Sequence, residues 1–215
     1  MQGNGGTVAE VGGTVFRALH THVKPLEYGT LGHYRVNHRC LLANTQAANS
    51  RLFEGRNSHA TNLIVPTRFL IKTIQSAAGT AQDNSIDAFK VTGLSAVDTT
   101  NTVTPTASVK RTSMAAAPGA LQLRGVTIAG AAAGMTGWTA APGKDGGSFA
   151  QHPISVQAAV QWPFLVTDLL DDVNGTHPWV WVQNEGFEAE NRVLNVTTYG
   201  VMAYFDFSWA EVTAF

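Results

Sequence analysis

The stretch YGVMAYFDFSWAEV, residues 199–212, alternates between two kinds of side chain along its length. One set of alternate positions is apolar: Val201, Ala203, Phe205, Phe207 and Trp209. The other set is Met202, Tyr204, Asp206 and Ser208. A period of two is typical of a β-strand with one buried face. Because five such side chains contribute on the order of 10 kcal/mol at about 2 kcal/mol each, we interpret this strand as core that closes the fold by pairing with an early strand.

Other segments with strand-like alternation recur along the chain and are separated by Gly, Pro and Asn turns. They are 33–44, 50–57, 61–76, 85–97, 121–130 and 154–166, followed by a hairpin over 177–196. No segment sustains helical spacing of apolar residues over three turns. Short strands without intervening helices predict an all-β protein, an antiparallel β-sandwich for which a jelly roll is favoured.

Several local predictions can be checked directly against coordinates. In 61–76, one strand face is expected to hold Leu63, Val65, Phe69 and Ile71. Pro66 cannot donate to a ladder, so this strand needs an edge or a bulge there. Residues 167–175 are expected to form one helical turn capped by Thr167. The hairpin is expected to turn at Glu185-Gly186.

Composition divides the chain into an arm and one domain. Residues 1–30 are Gly-rich and are expected to be a flexible or intersubunit N-terminal arm. Residues 31–215 are expected to form a single β-sandwich domain with an irregular Thr/Ala/Gly-rich insertion at about 98–150.

The charge balance excludes some partners and favours others. Only 13% of the 215 residues are charged, the formal net charge is −1 and the sequence pI is about 6.6. Without a basic excess, nucleic acid is not expected as a partner. A surface of hydroxyls, amides and small side chains suits contact with neighbouring subunits, because such groups cost less to desolvate than ions. No membrane partner is expected either, since no apolar run is long enough to span a bilayer and no signal peptide is visible at the N-terminus.

The candidate reactive residues are isolated in the sequence. His20 and His22 could face the same way on a strand, but no third metal ligand lies near them. His38 and Cys40 share strand parity at about 6–7 Å, which is too far for a thiol–imidazole pair, so Cys40 is interpreted as buried and inert. Asp168, Asp171 and Asp172 form an acidic cluster with Glu185, Glu188 and Glu190 further on, but the three aspartates lack the spacing of a calcium loop. All six are interpreted as acidic residues that cap turns or are solvated. We therefore assign no catalytic, cofactor or metal residues and predict that the protein is not an enzyme.

The tryptophans leave two interpretations open. Trp179 and Trp181 stand two residues apart, so on an exposed strand they would form a sugar-stacking platform. The favoured interpretation is that they fill the sandwich core.

Two stretches resemble small structural proteins of tailed-bacteriophage virions. The first is SRLFEGRNSHATNLIVPTRFLIKTIQSA, residues 50–77, and the second runs from THPWVWVQNEGFEAENRV to the closing FDFSWAEV. The similar features are an Asn-Glu-Gly-Phe turn at 184–187 and a closing strand that ends in Trp209-Ala210-Glu211. The resemblance covers about half the chain and implies a β-sandwich or jelly-roll virion protein of the head-decoration or minor-capsid type.

This resemblance sets the functional expectation. Copies would assemble with one another or with the capsid shell, so the expected location is the virion and the expected partners are sister copies and other virion proteins. The alternative is a carbohydrate- or receptor-binding module that uses Trp179 and Trp181 on surface glycans.

Overall fold

In a computed structural model, the described residues fall into seven ranges and form ten β-strands. The ranges are 31–95, 102–103, 120–127, 134–135, 143–159, 165–168 and 179–213. The strands are β1 His33–Leu42, β2 Ser50–Asn57, β3 Leu63–Gln75, β4 Gln82–Thr92, β5 Leu121–Gly125, β6 Gly143–Lys144, β7 Ala150–Val156, β8 Leu165–Asp168, β9 Gly186–Asn191 and β10 Val201–Val212. The predicted arm, residues 1–30, and most of the predicted insertion lie outside these ranges.

The strands build two antiparallel sheets packed face to face. Sheet A has the order β1-β10-β3-β8, and sheet B has the order β5-β2-β9-β4-β6, with β7 also paired to β4. The described residues contain no helix, so the prediction of an all-β antiparallel sandwich is confirmed. The jelly-roll connectivity stays a prediction. No helix in the described ranges has the length and hydropathy needed to cross a bilayer.

Strand β10 lies inside sheet A between the first strand and the third. Its register runs from His33 opposite Ala210 to Leu42 opposite Val201 on the β1 side. The five apolar positions predicted to face inward are all buried in the core. The opening stretch therefore closes the fold by joining β1 to β3, as its alternation predicts.

Strand β3 contains a bulge that reverses its inward face. Ser208 lies opposite Arg68, but the next residue of β10, Trp209, lies opposite Pro66, so Thr67 is the extra residue. The bulge expected near Pro66 is confirmed. The prediction that Leu63 and Val65 share a face with Phe69 is wrong, because one extra residue moves every side chain beyond it to the other face; Ile64 reaches the core instead.

The strands within 154–175 differ from the prediction. The first does not form one strand: β7 ends at Val156 and pairs with β4 in sheet B, whereas β8 begins at Leu165 and pairs with β3 in sheet A. Thr167 lies in β8 opposite Ile71, so it does not cap a helical turn. Residues 169–175 lie outside the described ranges.

The predicted hairpin over 177–196 is also wrong. Trp181 pairs with Ile64 of β3 through two backbone hydrogen bonds of 2.8 and 3.1 Å. Strand β9, in contrast, lies between β2 and β4 in sheet B. The chain does turn at 182–185, where Glu185 donates its backbone N–H to the Val182 carbonyl, but this turn carries the chain from one sheet to the other.

Aromatic rings fill the space between the sheets. Phe53 and Phe187 come from sheet B, and they meet Phe69, Phe205 and Phe207 from sheet A at centroid distances of 4.7–6.1 Å. Such pairs prefer offset or edge-to-face geometry, which fixes how the two sheets sit on each other.

Candidate functional site: a basic face on sheet A

The outer face of sheet A collects cations from strands that are far apart in sequence. Tyr204 of β10 lies opposite Arg39 of β1 on one side and opposite Lys72 of β3 on the other. Two residues along β10, Asp206 lies between Asn37 and Leu70. We call this surface the basic face and define it by six residues: Arg35, Arg39, Arg68, Lys72, Tyr204 and Asp206.

One carboxylate on this face engages two of its four cations. Arg35 donates to both carboxylate oxygens of Asp206, with the Nε–Oδ1 distance at 2.7 Å. This hydrogen bond is the main reason that the pKa of Arg35 is raised. Arg68 Nη1 lies 4.0 Å from Asp206 Oδ2. The Asp206 carboxylate is 9% exposed, so this bidentate pair is partly shielded from solvent.

Arg39 and Lys72 make no ion pair with any carboxylate of the described residues. Arg39 is exposed and Lys72 is half-buried. Strands pair about 4.8 Å apart, so the backbones of Arg39 and Lys72 lie about 10 Å from each other, with Tyr204 of β10 between them in the register. They are the two cations of the basic face that no carboxylate of the described residues pairs.

A depression of about 400 Å³ opens on this surface. Its walls include Arg35, Arg39, Lys72, Tyr204 and Asp206. The Asp206 carboxylate is paired with Arg35, so Arg39 and Lys72 supply the positive charge that would attract a carboxylate or another anion.

The depression also reaches His38, which lies on the opposite face of β1. Its ring lies against Phe53 and Phe205 at centroid distances of 5.6 and 6.3 Å. Burial lowers the pKa of His38, and a hydrogen bond to the backbone of Val126 opposes that shift. His38 is half-buried, and the neutral imidazole that burial favours adds no charge to the basic face.

A second cluster of charges lies on sheet B, where buried carboxylates meet cations that reach solvent: the side chains of Lys144 and Arg192 are 32% and 37% exposed. Lys144 Nζ lies 3.0 Å from Glu188 Oε1 and 2.6 Å from Glu190 Oε2. Arg192 bridges Glu190 to Asp87, with its Nε 3.1 Å from Asp87 Oδ2. Glu188 and Glu190 are buried strand residues of β9, so their interpretation as capping or solvated acids is wrong. The sequence could not show this because each acid reaches its partner only through strand pairing.

Glu188 has the perturbed pKa of this cluster. Burial raises its pKa, repulsion from Glu190 adds to the effect, and Lys144 opposes it. A shifted carboxyl beside an ammonium is a pattern found both in acid–base catalysis and in structural ion networks. Here Glu188 and Glu190 are only 2% and 3% exposed and share Lys144, so the arrangement favours the structural role.

The remaining acidic candidates are scattered. Asp168 is exposed at the end of β8, and Glu185 accepts a hydrogen bond from the Val182 N–H within the turn. For Glu185, the interpretation as a turn residue is confirmed. Asp171 and Asp172 lie outside the described residues.

Trp179 and Trp181 differ in how deeply they are buried. Trp181 is fully buried and stacks on Phe207 with 9° between the planes, so for this residue the core interpretation is confirmed. Trp179 is half-buried, meets Trp181 edge-on and has Lys90 Nζ 5.2 Å above its ring. The pair therefore does not present two rings on one exposed face.

Cys40 and His152 are both buried. Burial raises the pKa of Cys40 to about 12, as expected for an inert thiol. His152 is not a turn residue, although a proline follows it; it lies in β7, with its ring nitrogens 2.8 Å from the hydroxyls of Thr73 and Thr167. His20 and His22 lie outside the described residues. Within the described ranges, no three His, Cys, Asp or Glu side chains are grouped to hold a metal ion.

The basic face was missed at the level of sequence, although its signal was present. Arg35 and Arg39 occupy the polar positions of the β1 alternation, and Arg68 and Lys72 occupy those of the third predicted strand. What the sequence lacks is the pairing of β10 between these two strands, which brings the four cations together.

Comparisons of the chain with protein-family models, with curated proteins and with solved structures each find no match. The class that the coordinates define is a two-sheet antiparallel β-sandwich with a basic outer face. The resemblance to virion proteins stays a prediction.

Proposed function

We propose that this chain is a virion structural protein of the decoration or minor-capsid type, which assembles with copies of itself or with the capsid shell. The observation that carries the proposal is that many of the carboxylates are buried. The chain has 15 acidic residues, and six of those that the structure describes are buried: Glu54, Asp87, Glu188, Glu190, Asp206 and Glu211. At most nine remain for the exterior of a chain that already has few charges.

A surface low in acidic groups is suited to lasting contact between subunits. Interfaces are depleted in charged residues at their centre, because desolvating an ion costs more than desolvating a hydroxyl or an amide. Three of the buried acids are paired with cations: Glu188 and Glu190 with Lys144, and Asp206 with Arg35. Their burial reduces the negative charge that the exterior presents to a neighbouring subunit.

Carbohydrate binding through Trp179 and Trp181 is the weaker candidate. Trp181 has no exposed face, so a sugar could stack only on Trp179. A glycan array probed with the native protein and with Trp179→Ala tests this candidate, and a hit lost in the variant would support it.

The proposal is tested by mass photometry of the purified chain and by electron microscopy of the native source. We expect oligomers at micromolar concentration, or saturable binding to purified capsid shells, and labelled copies at regular positions on a particle. The proposal would be overturned by a protein that stays monomeric, does not bind capsid shells and is found on no particle.

A further inference from the structure

Strand β1 has a partner on one side only among the described residues, since β10 pairs with it and no described strand lies beyond it. Glu211 donates its N–H to the Gly32 carbonyl, which marks Gly32 and Glu211 as a hydrogen-bonded pair. In an antiparallel ladder such pairs alternate with non-bonded ones. The backbone groups of Arg35, Asn37 and Arg39 therefore point away from β10, toward the side of β1 on which no described strand lies.

This edge is long and regular. The ten residues of β1 hold one register against β10 from His33 to Leu42 without a bulge, and they include no proline. Natural edge strands are usually kept short, bulged or covered, because an open row of N–H and C=O groups is a template for another strand. The geometry of β1 is thus ready for strand addition.

The side chains along this edge determine which strand fits. Arg35, Asn37 and Arg39 project onto the basic face, so an added strand would place alternate side chains beside them. A second copy of β1 paired antiparallel about Asn37 would set Arg35 against Arg39, and like charges opposite each other are destabilising. A strand with carboxylates at those positions would instead place them beside Arg39, which no carboxylate of the described residues pairs.

We propose that the β1 edge docks an extended segment of a partner protein, with Asp or Glu at alternate positions, by β-strand addition. That the donor is a neighbouring virion subunit rests on the proposed function; the preference for an acidic strand rests on the edge and its charges. Main-chain hydrogen bonds to Arg35, Asn37 and Arg39 supply affinity, and pairing with Arg39 supplies specificity.

The test uses the full chain and a fluorescent peptide with Glu at alternate positions and Val or Thr between them. A matched peptide with Gln replaces every carboxylate. We expect the Glu peptide to bind at least about tenfold more tightly than the Gln peptide, with the difference shrinking at high salt. Arg39→Gln should remove most of this preference. Equal binding of the two peptides, or a preference that survives in Arg39→Gln, would overturn the proposal.

Two readouts separate strand addition from simple charge attraction. Asn37→Pro deletes an outward N–H while leaving the bonds to β10, as prolines on edge strands do, and should abolish binding; Asn37→Thr keeps the N–H and should bind normally. Amide exchange followed by NMR covers the case in which the proline variant fails to fold. Peptide binding should slow exchange at Arg35, Asn37 and Arg39, whereas Val36 and His38, already bonded to β10, should change little.

Other outcomes distinguish a failure of the inference from a failure of the proposed function. An acidic oligosaccharide that competes for Arg39 without protecting the edge amides would show a glycan site instead. Assembly on shells that leaves these amides unprotected would overturn the inference and leave the proposed function standing. Strand addition by the peptide, in a protein that never joins a particle, would overturn the proposed function alone.

Discussion

At the scale of single residues, His152 shows how a buried imidazole can tie two sheets together. It lies in β7 of sheet B and has no exposed surface, and its partners Thr73 and Thr167 lie in β3 and β8 of sheet A. Burial lowers its pKa to about 4. The neutral ring is therefore the form that the folded protein selects.

Because the fold favours the neutral form of His152, the free energy of unfolding depends on pH. Between pH 6.5 and 4 the unfolded chain binds a proton at His152 and the folded chain does not, so folding should lose stability as pH falls through that window. The full loss is about 3 kcal/mol. In His152→Gln, we expect lower stability than native at pH 7 and a difference that narrows toward pH 4, measured by urea unfolding. Thr73→Val should be destabilised yet keep the native slope with pH, and a His152→Gln profile parallel to native would contradict this account.

Gly186 is required by close backbone approach rather than by its φ angle. A Cβ built at this position would lie 1.8 Å from the carbonyl oxygen of Gly55 in the neighbouring strand. We expect Gly186→Ala to destabilise the fold by about 3 kcal/mol, because β2 and β9 must separate. Gly146→Ala is the matched control, since its Cβ would meet nothing within 4 Å. Equal melting temperatures for Gly186→Ala and Gly146→Ala would refute the close-approach argument.

At the scale of elements, sequence reasoning worked where one strand buries one face over its whole length. Strand β10 is such a case, and its five inward residues were identified correctly. It failed at β3, where the parity changes at Thr67, because a bulge depends on the partner strand and leaves no mark on the alternation itself. It failed again for Trp181, which joins β3 although a turn resembling a hairpin follows it.

The ion pairs of Glu188 and Glu190 on β9 lead to a prediction about stability and its dependence on pH. Lys144→Met leaves Glu188 and Glu190 without their shared cation, and we expect a loss of about 2 kcal/mol at neutral pH. Because Lys144 opposes the rise in the pKa of Glu188, removing it raises that pKa further. The folded state then binds the proton more readily than the unfolded chain, so the variant should recover stability as pH falls.

Chemical denaturation across pH measures this effect, and two variants sharpen it. Lys144→Met combined with Glu188→Gln should restore part of the loss at neutral pH. Lys90→Met removes a cation that contacts a ring and makes no ion pair in the described residues, so its cost should not depend on pH. Equal pH profiles for the two lysine variants would count against the role of Lys144 as the counter-ion of the two buried carboxylates.

At the scale of the whole molecule, what the sequence left open was which strands share a sheet. Segment 154–166 was predicted as one strand, but it contributes to both sheets. Short-range alternation reports burial of a face and carries no information about the neighbour across the ladder. The basic face was hidden for the same reason, since Arg39 and Lys72 become neighbours only when β10 lies between their strands.

The same topology makes folding depend on the last described strand. Strand β10 pairs with β1 over ten positions and with β3 over twelve, so without it sheet A has no link between its first strand and the rest. Its inward side chains also cover Phe53, Phe69 and Trp181. A chain that stops at residue 198 should therefore lose near-ultraviolet circular dichroism and cooperative unfolding together, because neither sheet can bury its inner face alone. A chain that stops at Thr213 keeps the whole of β10 and should unfold like the native protein; a sharp unfolding transition in the shorter chain would show that sheet B folds independently.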